Sequence, residues 1–389
     1  MIVNARQQKI AICILALGLF ITACGPTPVI SISAGDSHTC SLNSEGAVKC
    51  WGSNEQGQLG NGTFEQSAVP VSVGGLGKAS TIAAGGLHTC ALTSSGGVKC
   101  WGSNFYGQLG DGTNANHTTP VDVRGLTSGV TALAVGYNHS CALNSEGGVK
   151  CWGINGYGQL GDGSITTTAP YGNSLPVDVS GLTSGVTAIA AGDGHTCALT
   201  TSGGVKCWGY NQHGQLGSGA ATTTAPFAQP TPVDVSGLTS GVSAIVAGHG
   251  QTCAVTTAGS VKCWGTNVYG ELGDGTTENR AAPVNTLGLE SGIGALAAGY
   301  EHTCALALNG SVRCWGGGRW GDISNPYNTY STAPVIVSGL NEIRVVTAGH
   351  GHTCVLTSSQ TVKCWGMNTF GQLGDGTTTD QATPVDVKY

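Results

Sequence analysis

The chain has 389 residues, a net charge of −6 and only 9% charged residues. A hydrophobic fraction of 40% with eight tryptophans excludes a disordered chain. The 65 glycines follow no Gly-X-Y triplet, which excludes a collagen and indicates many turns. A net negative surface repels phosphate backbones, so we expect no nucleic-acid partner.

The N-terminus has the pattern of an export signal. Arg6 and Lys9 precede twelve apolar residues at 10–21, a run that is short for a membrane span. The sequence ITAC at 21–24 resembles a bacterial lipobox, which implies cleavage before Cys24 and acylation of Cys24. We therefore expect a lipoprotein signal peptide over 1–23 and a tether over 24–28. A plain secretory signal or an uncleaved anchor is the alternative. Cleavage would leave 13 basic and 21 acidic residues, a net charge of −8.

From residue 29 onward, one unit of about 50 residues occurs seven times, which indicates a repeat architecture. In the second copy, STIAAG, HTCAL, VKCWG and PVDV read as four strands separated by turn residues, and Pro120 opens the fourth. The sequence therefore predicts an all-β protein, a seven-bladed β-propeller with four-stranded antiparallel blades over 29–389. The small residues of the first strands favour their placement along the channel, so that the first and last blades meet without exchanging a strand.

Two cysteines stand ten residues apart in every copy. In a hairpin centred on Ser95, Cys90 faces Cys100 and Leu92 faces Val98, which brings the cysteines within disulfide reach. Seven regular pairs indicate an oxidising compartment, and a zinc site is disfavoured because the C-x₂-C spacing is absent. The predicted disulfides are Cys40–Cys50, Cys90–Cys100, Cys141–Cys151, Cys197–Cys207, Cys253–Cys263, Cys304–Cys314 and Cys354–Cys364.

A tryptophan follows the second cysteine in every copy, and a histidine opens the second strand in six. We interpret the tryptophans as packing on the face opposite the cysteines, where the next blade lies, and the histidines as structural groups that tie the first hairpin by hydrogen bonds. The residues are Trp51, Trp101, Trp152, Trp208, Trp264, Trp315 and Trp365, and His38, His88, His139, His195, His302 and His352, with Gln251 in the fifth copy.

These positions carry a family resemblance. The pattern G-x-x-H-T-x-A-L, then V-x-x-W-G-x-N-x-x-G-Q-L-G-x-G-T, then P-x-x-V resembles the regulator of chromosome condensation repeat, over about 29–387. The resemblance implies a seven-bladed propeller. The cysteine pairs and the export signal depart from the family pattern and indicate an extracytoplasmic bacterial branch. The sixth copy lacks Q-L-G and reads WGGGRWGDIS.

Residues that are identical in all copies serve every blade, so a binding site is expected where the copies differ. Two such tracts are the residue pair after the first-strand glycine and the residue before G-Q-L-G. Both tracts belong to connections at the same end of a blade, so we expect them on one rim. Packing within the protein, rather than binding, is the alternative for both tracts, and more so for the second. The third and fourth copies add longer loops, TTTAPYG and TTTAPFA, on the same rim. The predicted partner-binding residues are Tyr137, Tyr171, Phe227, Tyr300 and Trp320.

The motif GDGT suggests calcium, but Asn61 and Ser218 replace its aspartate in two copies, so a turn is the better interpretation. We expect no catalytic residue, metal or cofactor, and therefore no enzyme. The predicted function is a monomeric, lipid-anchored scaffold in the bacterial cell envelope that binds a protein or glycan. A secreted enzyme inhibitor is the alternative, since a β-lactamase inhibitor protein shares this propeller type. Guanine-nucleotide exchange, as in the family namesake, is disfavoured by export, disulfides and charge.

Overall fold

The ten-residue cysteine spacing builds the hairpin at the centre of each blade. In the second blade, the turn is closed by hydrogen bonds from Thr93 N to Gly97 O (2.8 Å) and from Gly96 N to Thr93 O (2.9 Å). Gly96 has a φ of 82°, a conformation that glycine adopts without steric cost. Cys90 lies opposite Cys100 in the register, as predicted. The predicted disulfide is present in all seven blades, with Cα atoms 4.0–4.1 Å apart.

The computed structural model describes residues 27–317 and 330–389, which form seven four-stranded antiparallel sheets with strands in chain order. The predicted signal peptide, Cys24 and Trp320 lie outside these residues. The innermost strands are β1 (Val29–Ala34), β5 (Ala79–Ala84), β9 (Val130–Val135), β13 (Val186–Ala191), β17 (Val242–Ala247), β21 (Ile293–Ala298) and β25 (Ile343–Ala348). The second strands are β2 (His38–Asn43), β6 (His88–Thr93), β10 (His139–Asn144), β14 (His195–Thr200), β18 (Gln251–Thr256), β22 (His302–Ala307) and β26 (His352–Thr357).

The two outer strands of each blade complete the sheet. The third strands are β3 (Val48–Gly52), β7 (Val98–Gly102), β11 (Val149–Ile154), β15 (Val205–Tyr210), β19 (Val261–Gly265), β23 (Val312–Gly317) and β27 (Val362–Gly366). The outermost strands are β4 (Ser67–Ser72), β8 (His117–Asp122), β12 (Gly172–Asp178), β16 (Ala228–Asp234), β20 (Arg280–Asn285), β24 (Tyr330–Ile336) and β28 (Gln381–Asp386). The described residues contain no helix that could span a membrane.

The prediction that Pro120 opens the fourth strand was wrong, because β8 begins at His117. The register between β7 and β8 shifts after the pair Cys100–Val121 and resumes at Gly102–His117. Pro120 lies in this irregular part of an edge strand, where a missing N–H costs no ladder hydrogen bond.

The tryptophans pack between blades, but against the preceding blade rather than the next one. Trp101 joins the core cluster of Cys40 and Cys50 of the first blade. Its indole Nε1–H donates a hydrogen bond to the carbonyl oxygen of Gln58 at 2.9 Å. Each interface between blades therefore places the disulfide face of one blade against the tryptophan face of the following blade.

The ring closes without strand exchange, as predicted. β1 belongs to the first sheet and β28 to the seventh. Trp51 Nε1–H donates to the carbonyl oxygen of Gln372 at 2.9 Å, which repeats the contact made between the other blades. Val29 and Val387 share the core cluster at this junction.

The two ends of the propeller differ in what they carry. The first–second and third–fourth connections meet at one end, where Ser53 N donates to Ser37 O at 2.7 Å. We call this end the mouth. The second–third turns and the linkers between blades meet at the opposite end, where Val98 N donates to Leu126 O at 2.8 Å. We call this end the linker rim.

Candidate binding site at the mouth of the channel

Seven glycines form a narrow collar where the innermost strands end. A Cβ atom added to any of them would lie 2.2–2.5 Å from a carbonyl oxygen of the neighbouring blade's collar glycine. Only glycine permits this approach. The collar consists of Gly35, Gly85, Gly136, Gly192, Gly248, Gly299 and Gly349.

The residue after each collar glycine is held in place by its backbone. In six blades its N–H donates a hydrogen bond to a carbonyl oxygen of the following blade, at 3.1–3.3 Å. The side chains of these residues surround the axis, one per blade. We call them the mouth ring: Asp36, Gly86, Tyr137, Asp193, His249, Tyr300 and His350. With the collar and the ends of the innermost strands, they line a cavity of about 150 Å³.

One half of the mouth ring is an aromatic stack. The ring of Tyr300 lies between His249, with centroids 3.8 Å apart, and His350, with centroids 4.0 Å apart. The interplanar angles are 26° and 15°, so the three rings are nearly parallel. This stack fixes both imidazoles at the axis.

Each histidine of the stack is paired with an aspartate of a neighbouring blade. His249 Nδ1 contacts Asp193, and His350 Nδ1 lies 3.8 Å from Asp36 Oδ1. The carboxylate of Asp36 raises the pKa of His350 above its ordinary value, against the opposing effect of burial. Burial raises the pKa of Asp193, although the contact with His249 opposes the shift. The ring therefore holds two histidine–aspartate pairs, one on each side of Tyr300.

The other half of the mouth ring is built around Tyr137. Its ring lies on Gly86, where an added Cβ would be 2.8 Å from Cδ2 of Tyr137, so the second blade needs glycine at this position. Burial raises the pKa of Tyr137, and the nearby carboxylates of Asp36 and Asp193 raise it further. The phenol thus stays neutral between two acidic groups.

Beneath the mouth, six histidines form a buried belt between blades. Each Nε2 lies 2.8–2.9 Å from a threonine or serine hydroxyl of the following blade. The belt therefore ties neighbouring blades rather than the hairpin of its own blade, which corrects the prediction. The histidine belt consists of His38, His88, His139, His195, His302 and His352.

The hydrogen bonds of the belt assign its tautomer. Thr89 Oγ1 donates its proton to the carbonyl oxygen of Gln58, so it accepts from the Nε2–H of His38. Nδ1 of His38 is then an unprotonated nitrogen, and it is buried without a hydrogen-bond partner. Burial lowers the pKa of His38 to about 4 and that of His352 to about 3, which keeps the belt neutral. This geometry supports a structural role.

The fifth blade departs from the others in its buried polar groups. Gln251 replaces the belt histidine and donates from Nε2 to the carbonyl oxygen of Gly299 at 3.0 Å. Glu271 replaces the glutamine of G-Q-L-G and accepts from Tyr269 N at 2.8 Å. Burial raises the pKa of Glu271 to about 7. This carboxyl group therefore titrates near neutral pH in the fold.

The longer loops of the third and fourth blades have the same local structure. Tyr171 N donates to Thr168 O at 2.8 Å, and Phe227 N donates to Thr224 O at 2.9 Å. Tyr171 is 47% exposed, whereas Phe227 is half-buried and contacts Tyr210 edge to face with centroids 6.4 Å apart. Both residues lie outside the lining of the mouth cavity.

A second aromatic group surrounds Tyr210 on the mouth side of the fourth blade. Its ring is 4.6 Å from that of Tyr157 and 6.1 Å from that of His213, measured between centroids. Tyr157 and His213 belong to the tract before G-Q-L-G, and Tyr157 remains 40% exposed. We call Tyr157, Tyr210, His213 and Phe227 the outer aromatic cluster.

Of the four predicted anchors that the structure describes, Tyr137 and Tyr300 lie together in the lining of the mouth cavity. Tyr171 and Phe227 lie on separate loops. The sequence identified the variable position that holds Asp36, Asp193, His249 and His350 in their respective copies, but these residues were not predicted as binding residues. It missed Tyr210, although this position also differs between copies, since Ser103 occupies it in the second blade.

The GDGT motif forms turns in this structure. Asp111 Oδ1 accepts from Thr113 N at 2.9 Å and from Asn104 Nδ2 at 3.1 Å. Among residues 27–317 and 330–389, no group of three or more His, Cys, Asp or Glu side chains could hold a metal ion. These contacts support the turn interpretation over calcium binding.

A family model described as RCC1-like domain matches residues 17–234 and 78–389 of the chain. The ultraviolet-B receptor UVR8 of Arabidopsis thaliana is 32% identical over 327 residues, which cover 82% of this chain and 72% of UVR8. The human E3 ubiquitin-protein ligase HERC2 is 32% identical over 215 residues, which cover 54% of this chain but 4% of HERC2.

Among solved structures, Prp20p from Saccharomyces cerevisiae superposes with a TM-score of 0.77 at 24% identity, over 94% of this chain and 87% of Prp20p. That protein is described with its binding properties to Gsp1p and histones. At this identity the likeness establishes the fold.

Proposed function

The chain belongs to the RCC1-like domain family, and on that premise we propose that it is a scaffold that binds a protein partner at its mouth. The scaffold is monomeric, extracytoplasmic and lipid-anchored, and it has no catalytic role. Disulfides in all seven blades support an oxidising compartment.

The observation that carries this proposal is the difference between the two ends of the propeller. The linker rim repeats small turns and GLTSG-like linkers in nearly the same form. The mouth presents the mouth ring, the outer aromatic cluster and the loops that contain Tyr171 and Phe227. A partner that binds one face of a propeller in one orientation needs side chains that differ between blades, and the mouth supplies them.

The position of the tether supports the same assignment. Pro28 O accepts a hydrogen bond from Ser44 N in the second–third turn of the first blade, which lies on the linker rim. β1 then runs from this rim towards the mouth. A tether of five residues, 24–28, spans at most about 18 Å. Acylation of Cys24 would therefore hold the linker rim against the membrane and direct the mouth away from it.

The anchor is tested by Cys24→Ala, with the wild-type protein as control. We expect the variant to leave the membrane fraction, because one residue would carry the acyl chains. A variant that fractionates with the membrane as firmly as the wild type would contradict the lipid anchor and leave the binding face open to test.

The binding face is tested by crosslinked capture from the native envelope, followed by identification of the partner and reconstitution with the purified partner. We expect Tyr137→Ala with Tyr300→Ala to weaken binding at least about thirtyfold, as for a buried aromatic anchor. Thr183→Ala, on an exposed linker of the third blade, is the matched control and should bind like the wild type. Loss of binding in the linker variant alone would place the binding site on the linker rim and contradict the proposal. Capture of a protease-resistant glycan would show that the partner is not a protein.

A further inference from the structure

We propose that the mouth ring binds a single positively charged side chain, an arginine or lysine, of the protein partner. The inference rests on the proposed function and adds the chemistry of recognition. It assigns Asp36 and Asp193 as the groups that pair with the cation and Tyr137 as the aromatic surface beside it.

The charges at the cavity favour a cation. Among the described residues that line it, two are aspartates and none is a lysine or arginine. Glu301 adds a third acidic group next to Tyr300 in the chain and contributes to the raised pKa of that phenol. An anionic ligand would find no fixed positive charge at the axis, whereas a cation finds carboxylates from the first and fourth blades.

The size of the cavity limits the ligand to one side chain. A volume of about 150 Å³ accommodates a group about as large as benzene. The glycine collar surrounds this cavity, because the carbonyl oxygen of each collar glycine lies close to the neighbouring glycine around the ring. An ammonium or guanidinium group with part of its aliphatic chain fits this space, while a folded surface must remain outside on the rim.

Tyr137 supplies the second element of cation recognition. It lies on Gly86 and between Asp36 and Asp193, whose charges both act on its hydroxyl. The ring of a half-buried phenol attracts a cation through its quadrupole, and the flanking carboxylates accept hydrogen bonds that the cation donates. Tyr300 has both faces covered by His249 and His350, so it positions these imidazoles instead.

The pairing of His350 with Asp36 makes this recognition dependent on pH. The titratable groups that face the cavity are Asp36, Asp193, His249, His350 and the phenols of the mouth ring, with Glu301, Tyr106 and Tyr269 nearby. When the imidazole of His350 is protonated, it neutralises Asp36 and repels a cation. When it is neutral, the carboxylate of Asp36 is free to pair with the ligand. Affinity for a cation therefore rises with pH, whereas affinity for an anion would fall.

The experiment uses the full mature protein and two blocked tripeptides, acetyl-Gly-Arg-Gly-amide and its citrulline counterpart, which has nearly the same shape without the charge. Binding is followed by NMR shifts of the mouth-ring backbone amides at pH 5.5 and 8.0. We expect the arginine peptide to bind at millimolar concentration, at least about tenfold more tightly at pH 8.0 than at pH 5.5, and the citrulline peptide to bind at least about tenfold more weakly than arginine at pH 8.0.

Asp36→Asn and Asp193→Asn should each weaken arginine binding by about tenfold, with thermal melts to verify folding. Asp178→Asn is the matched control, because this aspartate pairs with Lys150 on an outer strand and is 66% exposed. Equal binding of both peptides, affinity that falls as the pH rises, or no arginine binding would overturn the inference. If the aspartate variants still bind the partner fully while the tyrosine variants do not, the scaffold function stands and the cation is refuted.

Discussion

His350 and His352 are two residues apart, yet the fold gives them opposite properties. His350 belongs to the mouth ring, has a side chain that is 36% exposed, and lies beside Asp36, which raises its pKa. His352 belongs to the histidine belt, is 1% exposed, and has a pKa lowered to about 3 by burial. One imidazole is therefore able to change charge near neutral pH, and the other is a neutral hydrogen-bond donor.

This difference follows from what each position contacts. The belt histidine repeats in six blades because every interface between blades offers it a hydroxyl at the same place. The residue after the collar glycine contacts the axis, where symmetry between blades is not required. Repetition therefore marks the residues that hold the propeller together, and variation at the mouth marks the residues available for recognition.

Reduction of the seven disulfides should destabilise the propeller more than any substitution at the mouth. Each bridge closes a loop of about 11 residues and contributes about 2.7 kcal/mol in the chain-entropy model. Even if the seven contributions add incompletely, reduction should lower the free energy of unfolding by about 10 kcal/mol or more. Guanidinium unfolding with and without reductant measures this, and an unchanged midpoint would contradict the role of the bridges.

Acid should destabilise the protein through the belt. These histidines are neutral in the fold, with pKa values lowered to about 3–4, and they protonate near 6.5 when unfolded. Their stability contribution is complete above pH 6.5 and is lost as pH falls towards 4. Each histidine accounts for about 3 kcal/mol over this range.

The matched variant for the acid effect is His139→Gln, which copies the natural Gln251 of the fifth blade. Because Gln does not titrate, the variant should lose less stability than the wild type between pH 6.5 and 4, by about 3 kcal/mol. Urea unfolding at several pH values gives the comparison. Identical pH dependence in both proteins would show that the belt does not govern acid stability.

Glu271 should produce the opposite pH dependence. Its pKa is raised to about 7 in the fold, so its contribution is greatest below the unfolded value of 4.5 and is lost as pH rises through 7. Glu271→Gln introduces the residue found in the five blades that keep G-Q-L-G. It should stabilise the protein at pH 8 by up to about 3 kcal/mol, with little effect at pH 4. Thermal melts at the two pH values measure this, and equal changes at both would exclude titration of Glu271.

The smallest effect on stability is expected at the mouth. Tyr300→Ala removes two aromatic stacks, but these lie at the surface of the channel and a stacked pair contributes only about 0.5–1.5 kcal/mol. The free energy of unfolding of the variant should therefore lie within about 1–3 kcal/mol of the wild type. A larger loss would remove the distinction between belt and mouth.

The sequence predicted the propeller, the seven disulfides and the common end of the two variable tracts because each follows from spacing within one copy. The pairing of Asp193 with His249, and the contact of Tyr137 with Gly86, depend on neighbouring blades about 50 residues apart. The same limit explains the belt, where the partner of His38 is Thr89 rather than a group of its own hairpin. The sequence of one copy does not show which side chains of neighbouring blades come into contact.

The division between belt and mouth can be measured by an NMR titration of the imidazole rings of His350 and His352 between pH 4 and 8. We expect His350 to titrate with a pKa above 6.5, while His352 remains neutral with its Nε2 protonated down to pH 4. Asp36→Asn should lower the pKa of His350 and leave His352 unchanged. Titration of both rings near 6.5 would contradict the division between a structural belt and a titratable mouth.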